Sequence, residues 1–304
     1  MTRQISIAVL MAVYFDSASA SQIFWTDELT DRIQRSNVDG SQIQDLVTNL
    51  TTSLPDIAVD VMNSRMYWTT GSTGVIQRAN LNGTDVQAIV TGLNDVFGIA
   101  VDPIGGRLYW TDPLGDRIQT SNLDGGDISD LVIGLGNPNG IVLDLRPSEQ
   151  KLYWTDELTD KIQRASLDGS NIQDVITGLA TSLPAIALDA TNDKIIWTTG
   201  STGVIQSAGV DGSGLSNIVS GLGDVFGIDV FDNKIYWTDP LADRIQSADI
   251  DGSNVVDVAI GLGNPNGIAV VPEPAGFILG FSAAAGIIIS VCYAGVARGV
   301  GEQR

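Results

Sequence analysis

Histidine is absent from the 304 residues, and cysteine occurs once, as Cys292. Without histidine no Ser-His-Asp relay can be assembled, and a single thiol supports neither a Cys–His nucleophile nor an intrachain disulfide framework. Basic residues are scarce as well: 16 Lys and Arg stand against 36 Asp and Glu, a formal charge of −20. That is the wrong sign for nucleic acid, whose phosphates require clustered cations. Sustained helical periodicity is missing from the body of the chain. Stability must therefore come from packing and strand pairing, and the surface favours cations or basic partners.

What the chain does contain is one unit, six times over. FWTDELTDRIQRSNVDG, YWTTGSTGVIQRANLNG, YWTDPLGDRIQTSNLDG, YWTDELTDKIQRASLDG, IWTTGSTGVIQSAGVDG and YWTDPLADRIQSADIDG follow in order. Their tryptophans, Trp25, Trp68, Trp110, Trp154, Trp197 and Trp237, are 40 to 44 residues apart and account for all six in the protein, a propeller-blade period. Each unit reads as four short strands, for example NGIVLD, KLYWT, DKIQRASL and NIQDVITGL, with alternating β-branched residues and Asp-Gly turns. Six such units predict an all-β, six-bladed propeller of four-stranded blades over residues 21–271. The first unit lacks a first strand and GNPNGIAVV at the end lacks a second, so the ring is expected to close by pairing Gly267 to Val271 with Ile23 to Thr26. Units one to three also match units four to six: TDELTD recurs at 26 and 155, TTGSTGVIQ at 69 and 198, DVFGI at 95 and 224. A tandem doubling of a three-blade piece implies a pseudo-twofold axis along the channel.

The six Tyr-Trp-Thr-Asp signatures, with an Ile-Ala-Val-Asp strand before them, resemble the YWTD repeat of the low-density-lipoprotein receptor class. The resemblance covers about residues 22–271. It implies six-bladed propellers that recognise proteins and release ligands without catalysis, and a motif acid that ties neighbouring blades together. That acid is Asp27, Asp112, Asp156 and Asp239; Thr70 and Thr199 replace it in units two and five, where the junction must be held otherwise. The cysteine-rich modules that flank the family's propellers have no counterpart in these residues, so receptor function is not carried over.

In a propeller the loops joining fourth to first strands and second to third strands share one face, and loops on a rigid scaffold commonly carry function. Asp95, Phe97, Asn137 and Asn139, with their second copies Asp224, Phe226, Asn264 and Asn266, are the candidate ligand-contacting residues there. Phe97 and Phe226 are either exposed aromatic anchors or plugs between blades; the asparagines either meet a sugar or peptide or serve the Asn-Pro-Asn-Gly turn. Asp39-Gly40, Asp124-Gly125, Asp168-Gly169, Asp211-Gly212 and Asp251-Gly252 lack the spacing of a calcium loop and fit hairpin turns needing positive φ. No catalytic residue, cofactor or metal is expected; the alternatives to a binding propeller are a metal-dependent lactonase-like hydrolase and a purely structural matrix protein.

Both ends read as processing signals. Arg3, an apolar run from Ile5 to Phe15, and the small residues Ala18 and Ala20 form a signal peptide over 1–20. An uncharged, mostly apolar run from Ala275 to Ala297 is long enough to span a bilayer, with Arg298 as its basic flank. Pro272, Glu273 and Pro274, then that helix, then Arg298, resemble the PEP-CTERM sorting signal of envelope-bearing bacteria over residues 272–304. The resemblance implies recognition by an exosortase, a membrane protease, and delivery to the cell surface or extracellular matrix, where a surface protein or exopolysaccharide is the expected partner.

Overall fold

The computed structural model describes residues 21–272 apart from 51, 180, 181 and 201. The signal-peptide segment 1–20, with Ala18 and Ala20, and the sorting-signal residues Glu273, Pro274 and Arg298 lie outside the described residues. Among those described, no helix is long and apolar enough to cross a membrane.

Six four-stranded antiparallel sheets make up the described chain. Blade four runs Pro138–Asp144, Lys151–Asp156, Lys161–Ser166 and Gln173–Thr177, and the others follow the same meander. Blade one alone is drawn from both ends of the repeat region. Its first strand, Pro265–Val271, pairs with Gln22–Asp27, in a register that sets Ile23 against Val270 and Trp25 against Ile268. The half-repeat that ends the sequence is thus the missing strand of the first blade, and no sheet edge is left open at the seam.

The core is not one mass but six, each filling the gap between two blades. Phe24 and Ile33 of blade one pack on Met66 and Trp68 of blade two. Tyr153 and Ile162 of blade four pack on Ile195 and Trp197 of blade five. Tyr236 and Ile245 of blade six meet Trp25 and Ile268 of blade one. Every gap receives one tryptophan, and all six are fully buried. The indole N–H needs a partner at that depth; in blades one, two, three and five it donates to a glutamine on the third strand, Gln34, Gln77, Gln119 and Gln206. In blade one Gln34 donates onward to Asp45 on the outermost strand. In blades four and six the indoles of Trp154 and Trp237 have no partner, and Gln163 and Gln246 keep only the outward bond to Asp174 and Asp257, so the indole–glutamine bond accounts for the Ile-Gln pair in four of the six units.

The Asp-Gly and Asn-Gly turns do more than reverse the chain. Their glycines take φ between +79° and +85°, as the sequence predicts. The acidic partner contributes an Asx turn, Asp39 Oδ1 accepting from Ser41 N at 2.9 Å. In addition, a Cβ on Gly40 would lie 1.7 Å from the Val258 carbonyl oxygen, and one on Gly125 2.0 Å from that of Ile89. Each hairpin tip leans on the outer strand of the preceding blade, so glycine is required by both backbone and neighbour.

Ending the chain after Asn266 removes the closing strand and should collapse cooperative melting, whereas ending it after Pro272 should leave the melting temperature unchanged. Equal melting curves for the two truncations would contradict closure by this strand.

Candidate functional site

The loop face is built around six threonines. The threonine following each tryptophan donates its Oγ1–H to a backbone carbonyl of the next blade: Thr26 to Leu54, Thr69 to Phe97, Thr111 to Asn139, Thr155 to Leu183, Thr198 to Phe226 and Thr238 to Asn266, at 2.6 to 2.8 Å. In five blades the same oxygen also accepts an amide of its own blade's first strand or of the residue just before it, from Gly267, Asp56, Gly98, Gly140 and Gly227. Blade-to-blade spacing at the channel mouth is therefore set by a buried hydroxyl in a three-way node. The backbones cross so closely that a Cβ on Gly98 would lie 2.4 Å from the Asn139 carbonyl oxygen.

The motif's fourth position, by contrast, does three different jobs. Asp27 and Asp156 hold the linker arriving from the preceding blade, accepting from the amides of Gly263 and Asn264, and of Gly136 and Asn137. Asp112 and Asp239 instead take both ends of an arginine fork, from Arg117 and Arg244, at 2.9 to 3.1 Å. Thr70 and Thr199 close their own Thr-Gly-Ser-Thr-Gly turns on the backbone of Val75 and Val204. The junction there passes to the backbone, as bridges Gly71–Val96 and Gly200–Val225. The implied role as blade tie holds for two of the four acids, and the threonine shared by all six units carries the general link.

The candidate contact residues come together in pairs. Phe97 and Phe226 meet across the pseudo-twofold axis, ring centroids 5.6 Å apart and tilted by 46°. Both remain half-exposed, so they form a central aromatic platform rather than a plug between blades. Asn137 and Asn139 donate to Glu157 Oε2 at 3.0 and 3.1 Å; Asn264 and Asn266 donate to Glu28 Oε2 at 3.1 and 3.0 Å. Asn139 and Asn266 are buried: they orient a glutamate instead of facing solvent. Glu157 further accepts from the Ser182 hydroxyl and the Leu183 amide. Sequence reasoning passed over Glu28 and Glu157 as ordinary members of the DELTD turn; their recurrence 129 residues apart was the available signal. Asp95 and Asp224 sit beside the platform, half-buried. Partial burial pushes both carboxyls up in proton affinity, with the neighbouring charges of Asp112 and Asp239 adding to it.

Below the phenylalanines lies a channel cavity of about 250 Å³ lined by Ile, Val, Leu and Ala from all six first strands, with two charged side chains, Asp56 and Asp229. They line the cavity yet are enclosed by protein. Burial raises Asp56 to about 7 against the amides of Ile99 and Ile57 that it accepts, with Asp229 adding repulsion. Burial likewise raises Asp229 to about 6, against the amides of Val270 and Val230. Their counterparts in the other half are Ala185 and Ala100, so these acids break the duplication. Among the described residues no three acidic or thiol side chains come together as a metal-ligand set.

The family model for the low-density lipoprotein receptor repeat class B matches residues 64–103, 150–190 and 233–271. Three segments of the chain are thus similar to the class B repeat. The matched segments begin at the end of one strand-one turn and run to the next blade's first strand, so the repeat as matched is offset from the blade. Among solved structures, a chain in the crystal structure of a nidogen/laminin complex is 25% identical with a TM-score of 0.75, covering 83% of this chain and 98% of that one. No curated protein matches the sequence.

Asp56 and Asp229 bind protons more tightly folded than unfolded, so their contribution to stability is complete below about pH 4 and is lost as pH rises through about 6 to 7. Replacing both by Asn should flatten the fall in melting temperature between pH 5 and pH 8. A slope equal to that of the wild type would contradict the assignment.

Proposed function

We propose that the protein is a non-catalytic, exported binding propeller whose loop face recognises a partner at the bacterial cell surface or in the extracellular matrix. The observation that carries this reading is the face itself: a twofold-related aromatic platform flanked by two amide-held glutamates, on a scaffold whose blade spacing is hydrogen-bonded at six points. Rigid placement of loops favours recognition because little order has to be created on binding. The structural neighbour points the same way, since it is a propeller of similar extent from a protein–protein complex. A surface protein or an exopolysaccharide is the partner class, and binding of nucleic acid is not expected at this charge.

Export by residues 1–20 and sorting by an exosortase through Pro272, Glu273, Pro274, the apolar run 275–297 and Arg298 complete the proposal, with the run holding the chain in the membrane until sorting. Changing Pro272, Glu273 and Pro274 to Ala should leave the protein in the membrane fraction at its unsorted mass, read by mass spectrometry. Sorting that proceeds unaltered would refute the role of these residues.

The face is tested by immobilising the full chain and measuring retention of purified exopolysaccharide and of envelope proteins from the producing cell. Replacing Phe97 and Phe226 together by Ala removes the platform without touching the inter-blade cores, so retention should be lost while the melting temperature holds. Retention equal to that of the wild type would refute the choice of face.

A further inference from the structure

The twelve loops of the recognition face, between the strand bounds given by the sheets, carry nine Asp or Glu and not one Lys, Arg or His. The basic residues nearest to them, Arg32, Arg117, Lys161 and Arg244, open the third strands and are already engaged. Arg32 pairs with Asp45 and Lys161 with Asp174; Arg117 and Arg244 each pair with two acids, Asp112 and Asp130, and Asp239 and Asp257. Glu28 and Glu157 take all their side-chain hydrogen bonds from neutral donors. Their negative charge is positioned but not compensated within the protein, an arrangement that attracts and orients a cation from outside.

Apolar groups stand beside these charges. Leu29 and Leu158 immediately follow the two glutamates and are each 75% exposed; Leu114 and Leu241 crown the equivalent turns of blades three and six at 74% and 79%. A hollow of about 380 Å³ opens against Gly136, Asn137, Glu157 and Leu158. Another of about 330 Å³ joins Glu28, Asn264 and Asn266 to the central phenylalanines. Exposed aliphatics alternating with uncompensated carboxylates suit a ligand with the complementary alternation. The asparagine donor distances around Glu28 repeat around Glu157 to within 0.1 Å, so each half of the face presents an amide-held carboxylate beside an exposed leucine, with Glu157 also held by Ser182 and Leu183.

We propose that the face holds two copies of a basic, aliphatic peptide segment per propeller, one on each side of the phenylalanine platform. A lysine or arginine of each copy meets Glu28 or Glu157, and aliphatic side chains cover the adjoining leucines. The inference rests on the reading of this face as the recognition surface and specifies its occupant and stoichiometry.

The probe is a blocked pentapeptide of alternating leucine and lysine, titrated calorimetrically into the full chain, with the leucine–glutamate peptide as control. Two equivalents should bind per chain, weakening as salt is raised, and the control should not bind. Glu28→Gln and Glu157→Gln should each lower the stoichiometry from two to one, and the double variant should abolish binding, with melting temperatures reporting an intact fold. Should either glutamine variant unfold, Leu29→Ser and Leu158→Ser, which alter only exposed side chains, must weaken binding in its place. Binding of a single equivalent, no binding, equal binding of the glutamate peptide, or variants that bind as the wild type would each overturn the proposal. If the peptide fails while retention of a natural partner still depends on Phe97 and Phe226, this inference falls and the recognition face stands.

Discussion

One hydrogen bond, made six times, holds the rest of the structure in place. The hydroxyl of each Trp-Thr threonine reaches a carbonyl 28 residues further on in every blade, including across the seam where Thr238 meets Asn266. A threonine suits this position because its β-branch fits the strand while its hydroxyl serves as donor and acceptor at once. The carbonyls it reaches belong to residues just before the first strands or, for Asn139 and Asn266, to the second residue of those strands. The same bonds that space the blades therefore also aim the loops of the candidate face, which inherits the stiffness of the ring.

Within that sixfold frame the chain is organised in threes. Motif acids bind linkers in blades one and four, arginine forks in blades three and six, and are replaced by turn-closing threonines in blades two and five. Each solution appears twice with nearly the same distances, as a doubled three-blade piece requires. Asp56 and Asp229 are among the positions that depart from the duplication. Placing carboxyls in an apolar channel costs stability at neutral pH, and neither has a counterpart in the other half. They place two carboxyls of raised proton affinity in an otherwise apolar channel.

The face above it separates charge from counter-charge. The basic side chains that open the third strands, Arg32, Arg117, Lys161 and Arg244, pair with acids on the outer strands, while the carboxylates of the loops around Phe97 and Phe226 enter no ion pair among the described residues. A net charge of −20 keeps such a protein soluble; gathering part of it around exposed leucines and an aromatic pair converts a bulk property into a directional one.

The fold was legible from residues alone because its determinants are local and repeated. Six tryptophans at propeller spacing, alternating strands and glycine at positive-φ turns set the blade number and length, and the two half-units at residues 21 and 267 announced how the ring closes. The candidate face was legible as a set of loops, but not in its contacts. That Asn139 and Asn266 turn inward onto glutamates, that Phe97 touches Phe226 across 129 residues, and that Asp56 and Asp229 share one cavity follow from the curvature of the ring. Curvature brings residues of different blades to the axis, and no periodicity along the chain encodes which of them meet there. Sequence by itself determined the blades and their order; only tertiary structure decided what the channel mouth presents, because that surface is made of carbonyls, amides and side chains brought together by closure.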